Sequence, residues 1–110
     1  MASTFRSLLA SEIGTDGTTP ILTTGGAVKT TVIGLSLTNL TDGIVLASIR
    51  IDDGVTSAYY IKNIMVPANQ SLRVINGGEK LILGSDTDVY ITSNTDISLD
   101  LVMSFVEITG

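Results

Sequence analysis

The side chains best suited to chemistry are two acidic turn segments, Asp52-Asp53 and Asp86-Thr87-Asp88. Carboxylates gathered in a tight turn can direct several oxygen ligands at a hard cation such as calcium. Neither segment has the spacing of a complete calcium loop, and Asp is common in turns because its side chain accepts hydrogen bonds from its own backbone. We therefore interpret both segments as turns and expect no bound metal.

The amino-acid composition excludes most catalytic mechanisms. The chain contains no Cys and no His, so it has no thiolate nucleophile, no imidazole base and no soft metal ligand. A Ser with a Lys base, or a pair of carboxylates, remains chemically open, but no spacing in the sequence supports either. We expect neither enzymatic activity nor a cofactor.

The net charge of the chain argues against nucleic acid as a binding partner. Six Lys plus Arg stand against eleven Asp plus Glu, a net charge of -5, which repels a phosphate backbone. No apolar run approaches the roughly 20 residues of a membrane span, and the first residues do not form a basic segment followed by an apolar core. We expect a protein made in the cytoplasm that binds neither nucleic acid nor membrane.

From residue 27 onward, short runs rich in Thr, Val and Ile are separated by Gly, Asn and Asp, as is typical of strands joined by turns. In residues 28–39 the apolar phase slips between Val32 and Ile33, and either a bulge or the flexible Gly34 accommodates such a slip. The odd positions 45–51 are apolar and predict a second strand, which we expect to form a hairpin with the first.

The last strand has the clearest alternation. Its predicted inward face holds Ile97, Leu99, Leu101, Met103 and Phe105. Its second half is apolar on both faces, which favours a central or covered strand. About seven or eight such strands predict an all-β protein, an antiparallel β-sandwich of jelly-roll or immunoglobulin-like type spanning residues 27–110.

Residues 1–26 differ from the rest. Phe5, Leu8, Leu9 and Ile13 fall at helical spacing, and residues 14–20 have the composition of a linker. We expect an extended N-terminal arm and linker whose large apolar side chains bury against another chain. The alternative is that this segment is the first strand of the sandwich.

Tyr59 and Tyr60 are neighbours on a predicted strand, so their rings point to opposite faces and cannot form one sugar-stacking platform. We expect one ring in the core and the other to anchor a subunit or a ligand, since Tyr is enriched at interfaces. The predicted interface residues are therefore Phe5, Leu8, Leu9, Ile13, Tyr59 and Tyr60.

Several segments carry a family resemblance: KTTVIGLSL at residues 29–37, YYIKNIMVPANQSL at 59–72, a Gly-Gly turn before EKLIL, and DLVMSFVEI at 100–108. Over about residues 27–109 the chain resembles small virion proteins of tailed phages, especially marine and cyanophage types. The resemblance implies a non-enzymatic β-sandwich present in many virion copies. Such proteins serve as capsid decoration (cement) proteins or as tail, neck or fibre-associated proteins.

Hydropathy and charge agree with a structural role. A mean hydropathy of +0.44 is high for a small soluble monomer, so apolar surface remains for association. We expect a homo-oligomer, with a trimer as the preferred form, docked on another virion protein such as the major capsid protein. The acidic charge favours the outer surface of capsid or tail, after assembly in the host bacterial cytoplasm. The alternative is a tail, neck or fibre-associated protein, with host-glycan binding as one possible activity.

Overall fold

The computed structural model describes residues 2–75 and 80–109. Met1, Gly110 and the predicted Gly77-Gly78 turn lie outside the described residues. Within these ranges the chain forms nine strands and no helix that is long and apolar enough to cross a membrane. The strands are β1 (Ala2–Ile13), β2 (Leu22–Thr23), β3 (Val28–Asn39), β4 (Val45–Asp52), β5 (Ser57–Val66), β6 (Ser71–Ile75), β7 (Leu81–Leu83), β8 (Asp88–Ser93) and β9 (Leu99–Thr109).

The strands form two antiparallel sheets packed face to face. One has the order β1-β9-β3-β6, with β7 also paired to β3, and the other has the order β2-β8-β4-β5. Strands from the two halves of the chain pair with each other from the ends inward. β1 pairs with β9, β2 with β8, β3 with β6 and β7, and β4 with β5. This nested pairing is the jelly-roll topology. The predicted β-sandwich is confirmed, with nine strands because β1 and the two-residue β2 join it.

The core lies between the sheets, where alternate residues of each strand meet. In β3 the buried apolar side chains are Val32, Leu35 and Leu37, and the register with β9 shifts between Val32 and Gly34. This shift confirms that a bulge accommodates the phase slip. β9 is central in its sheet, lying between β1 and β3, as one of the two expected placements had it.

The predicted hairpin of β3 with β4 is wrong, because the two strands lie in opposite sheets. Their connecting loop crosses the sandwich and is held by the buried side chain of Asn39. The Asn39 amide nitrogen donates to the carbonyls of Gly43 (2.8 Å) and Val66 (2.9 Å), and its oxygen accepts from the Thr41 N–H (2.8 Å). A buried amide with these partners fixes the crossing without an unsatisfied polar group.

The expected extended arm is also wrong, and its first thirteen residues follow the alternative interpretation. β1 pairs with β9 from Ala2 opposite Thr109 to Ile13 opposite Leu99, so it is the edge strand of the five-stranded sheet. The segment after it is bonded to the other sheet, since Ile21 N–H donates to the Val89 carbonyl at 2.7 Å. Residues 2–26 therefore belong to the sandwich. The helical spacing of the four large apolar residues does not reflect one buried face: Leu8 and Ile13 face the core, whereas Phe5 and Leu9 face solvent, because a bulge reverses the alternation before Ile13.

Candidate interaction surfaces

The four predicted interface residues of β1 have three different environments. Phe5 is 77% exposed and Leu9 is 72% exposed, whereas Ile13 is only 7% exposed and belongs to the core. Leu8 is partly buried and packs against that core. The prediction of an interface side chain is therefore wrong for Ile13.

A bulge explains why Ile13 turns inward although Phe5 and Leu9 point outward. The register between β1 and β9 shifts between Ala10 and Ile13, and Glu12 has a left-handed backbone with φ of 56°. One extra residue reverses the alternation of a strand. Ile13 thereby joins the inner face, where its carbonyl accepts the Ser98 N–H at 3.0 Å.

Phe5 and Leu9 belong to an exposed surface of the five-stranded sheet, which we call the outer apolar face and define by Phe5, Leu9, Ile82 and Val102. All four are exposed. The strand register lines them up in two rows. One row contains Phe5, Val106, Thr31 and Ile82, and the other contains Leu9, Val102, Ser36 and Arg73.

The outer apolar face is wide and has few charges. Each row crosses four strands, which lie about 4.8 Å apart, so the face extends for roughly 15 Å across the sheet. Its polar neighbours Ser7 and Ser104 are small and lie directly opposite each other. Large apolar side chains exposed on one sheet face are typical of a surface that another protein covers, although Thr31, Ser36 and Arg73 interrupt the two rows here.

Tyr59 and Tyr60 lie on β5, the edge strand of the other sheet. Neither is in the core, since they are 52% and 36% exposed, so the expectation of one buried ring is wrong. A register shift between Ile49 and Arg50 leaves Tyr60 without a direct partner on β4. Both tyrosines line one depression of about 340 Å³ at the β4–β5 end.

Beside Tyr59 lies a group of stacked cations and rings that sequence reasoning did not identify. The Arg50 guanidinium is 4.0 Å from the centre of the Tyr90 ring, and the Lys62 ammonium is 4.9 Å from that of Tyr59. Arg50 also donates to the Ser57 hydroxyl at 2.8 Å and lies 3.8 Å from the Asp52 carboxylate. Because Arg50 already has several partners, this group stabilises the sheet face more than it offers a free cation.

Arg50 and Tyr90 are directly opposite each other on β4 and β8, forty residues apart in the chain. No local sequence signal marks such a pair, because only the strand pairing brings them together. The predicted interface residues likewise divide between two sheets, with the four of β1 on one and the two tyrosines on the other. The structure therefore offers two separate surfaces and not one combined site.

The acidic turns hold hydrogen-bonded carboxylates: Asp53 accepts from backbone N–H groups, and Asp88 accepts from the Thr23 hydroxyl. In the β4–β5 turn the Asp53 carboxylate accepts the N–H groups of Thr56 (2.7 Å) and Val55 (2.9 Å), which lower the pKa of Asp53. The Thr15 hydroxyl and N–H lower the pKa of Asp96 in the same way. Within residues 2–75 and 80–109, no three His, Cys, Asp or Glu side chains are grouped as metal ligands.

Together the fold and its surfaces define a jelly-roll β-sandwich with one exposed apolar sheet face. No protein-family model matches the chain, and no curated protein matches it. Among solved structures, it is similar to the globular domain of zebrafish complement 1qA protein, with 12% identity and a TM-score of 0.50. That match covers 92% of this chain and 94% of the other, and it agrees with the β-sandwich fold.

A second similarity is to a pentameric capsid protein isolated from metagenomic phage sequences, represented by two crystal structures. Both have 21% identity and a TM-score of 0.44, and each match covers 94% of this chain. They cover 60% and 61% of that capsid protein, so this chain spans about three-fifths of its length.

Proposed function

We propose that this protein is a non-enzymatic structural protein of a tailed-phage virion. In its finer form the proposal is an oligomeric capsid decoration protein that bridges neighbouring shell subunits on the outer surface. The observation that carries the proposal is the outer apolar face, which exposes Phe5, Leu9, Ile82 and Val102 on one side of a rigid sheet.

The physical basis is burial of that face against the shell. Covering apolar surface contributes about 25 cal/mol per Å². Weak contacts of this kind become effective when they repeat over many copies on one particle. A decoration protein can therefore hold a shell together without a catalytic group or a deep pocket.

The virion setting is supported by the sequence resemblance carried by residues 29–37, 59–72 and 100–108. The charge of -5 supports an outer position, because packaged DNA would repel an acidic lining protein. The fold agrees with both, since a sandwich of nine described strands exposes broad sheet faces for docking.

Binding to particles that lack this protein tests the proposal. We expect the parent to sediment with such particles and Ile82→Asp to lose at least about tenfold in affinity, since a charge on the face would be desolvated on docking. Val55→Asp is the matched control, because Val55 is exposed in the β4–β5 turn, away from the face. Equal binding of the two variants would contradict docking through this face.

A second candidate function is a tail or fibre module that binds a host glycan. The depression lined by Tyr59, Tyr60, Asp53 and Thr56 favours it, because exposed aromatic rings beside polar groups suit sugar recognition. A glycan array decides this candidate. Binding that disappears in Tyr60→Ala but persists in Ile82→Asp would support the glycan module over capsid decoration.

A further inference from the structure

The free edge of β1 is unusual for an edge strand. β1 has 12 residues and ends the five-stranded sheet, so one side of its backbone has no strand neighbour among the residues that the structure describes. Natural edges this long are commonly protected by Lys or Pro. β1 contains neither, and its single Arg, Arg6, forms an ion pair with Glu107 of the adjacent strand. The free edge is therefore open to strand addition.

The side chains of β1 are arranged symmetrically about Ser7. The alternate exposed residues read Ser3, Phe5, Ser7, Leu9 and Ser11, an order that is nearly the same in both directions. In an antiparallel pair of two β1 strands centred on Ser7, Phe5 lies opposite Leu9 of the second copy. Ser3 then lies opposite Ser11, and the two Ser7 residues face each other.

We propose that two copies of this chain pair antiparallel through β1, with a twofold axis passing beside Ser7. The two five-stranded sheets then form one continuous ten-stranded sheet. Backbone hydrogen bonds give this contact its strength, and the directly opposed Phe5 and Leu9 side chains set its register. Such a contact is isologous and closes on itself.

The inner side of β1 is compatible with this register. Arg6 falls opposite Leu8 of the second copy and Thr4 opposite Ala10, so no two like charges are directly opposed. The left-handed Glu12 interrupts the regular strand beyond Ser11 and limits the ladder to the symmetric segment.

This inference deepens the proposed function and rests on it for the role of the contact, because it names the second copy that a homo-oligomer requires and puts a twofold pair in place of the expected trimer. Side chains stand roughly perpendicular to a sheet, so edge pairing leaves the outer apolar face uncovered. Phe5 and Leu9 of both copies come together at the middle of a face twice as wide. The pair of copies therefore presents one larger surface to the shell.

Disulfide trapping tests the register directly, because the chain has no Cys of its own. Opposed residues in an antiparallel pair have Cα atoms about 4.5–5.5 Å apart, within the range that a disulfide spans. We expect Ser7→Cys to form a covalent dimer on mild oxidation. Ser3→Cys and Ser11→Cys should each form no covalent dimer alone and should crosslink when mixed. Crosslinking of each single variant alone, or none by Ser7→Cys, would overturn the register.

Sedimentation equilibrium of the unmodified chain and two lysine variants tests the contact itself. Ser7→Lys places two ammonium groups opposite each other at the axis, and we expect it to weaken dimerisation at least about tenfold. Ser104→Lys is the matched control, since Ser104 lies directly opposite Ser7 within the sheet but away from the free edge. Loss of the dimer in both variants would indicate stacking of faces and overturn edge pairing. A monomeric parent would overturn it as well.

The particle-binding assay separates this inference from the proposed function. A dimer trapped at Ser7→Cys that fails to bind particles would leave edge pairing intact and contradict capsid decoration. A monomeric parent that binds particles through the outer apolar face would contradict edge pairing and leave capsid decoration intact.

Discussion

At the scale of single residues, Ile97 is the most unexpected. It has a left-handed backbone with φ of 51°, a conformation that β-branched residues rarely adopt, and its side chain is exposed. The following residue holds it there, because the Ser98 hydroxyl bonds to the Thr95 carbonyl at 2.6 Å and the Ser98 N–H to that of Ile13. The predicted inward position of Ile97 is wrong, and β9 begins at Leu99.

Replacing Ile97 with Asn should stabilise the protein. Asn tolerates the left-handed region, whereas other L-residues lose about 1–2 kcal/mol there, so we expect the free energy of unfolding to rise by about 1 kcal/mol. Urea denaturation measures this change in the free energy of unfolding. Ile82→Asn, an exposed position inside a strand, is the control and should not gain. If Ile97→Asn lowers the free energy of unfolding as much as Ile82→Asn does, then the Ile97 side chain contributes packing.

The hydrogen-bonded carboxylates predict the acid response. Bonds from Thr15, Thr18 and Thr56 hold the pKa values of Asp96, Asp16 and Asp53 below their values in an unfolded chain. Their contribution is therefore complete above the unfolded pKa, near 4, and is lost as pH falls through the lower folded pKa. We expect thermal stability to fall as the pH drops below about 4, with a smaller fall in Asp96→Asn. An unchanged pH profile in that variant would contradict the role of Asp96.

At the scale of elements, β1 combines two functions because its side chains alternate between two faces and its bulge turns Ile13 inward. Phe5 and Leu9 lie on the outer apolar face, whereas Leu8 and Ile13 contribute to the core. The same strand thus stabilises its own sandwich and offers a surface to other proteins. A detached arm could do only the second.

This division predicts opposite results for two alanine variants of β1. Ile13→Ala should lower the free energy of unfolding by about 2–5 kcal/mol because it leaves a cavity in the core. Leu9→Ala should change it by less than about 0.5 kcal/mol, since the side chain is already in solvent. Chemical denaturation of the two purified variants checks both values. Equal and small effects would restore the interpretation of residues 1–26 as an arm outside the sandwich.

At the scale of the whole molecule, net charge opposes association while apolar surface favours it. Each copy carries -5, so two copies repel at low ionic strength. The proposed contact through β1 contains backbone groups, apolar side chains and hydroxyls, with no ion pair between copies.

Salt should therefore strengthen dimerisation. The Debye length falls from about 10 Å at 0.1 M to about 3 Å at 1 M salt, which screens the repulsion and leaves the apolar contact. We expect the dimer dissociation constant to decrease over this range in sedimentation equilibrium. An increase would mean that ion pairs hold the copies together.

The sequence by itself determined the features that depend on neighbouring residues. Alternation indicated the strands, the phase slip at Val32 located the bulge of β3, and missing Cys and His removed most catalytic chemistry. These signals are local because side chains of a strand alternate with a fixed period of two.

Only the tertiary structure decided which strands are neighbours. It joined β1 to β9, separated β3 from β4, and brought Arg50 onto Tyr90. It also turned Ile13 inward and exposed both Tyr59 and Tyr60. The physical reason is that pairing in a jelly roll links residues far apart in the chain, where several partners satisfy the same alternation. The loops that cross between the sheets and the bulges then select one pairing partner. Hydrophobic periodicity marks neither the loop crossings nor the bulges' effect on pairing.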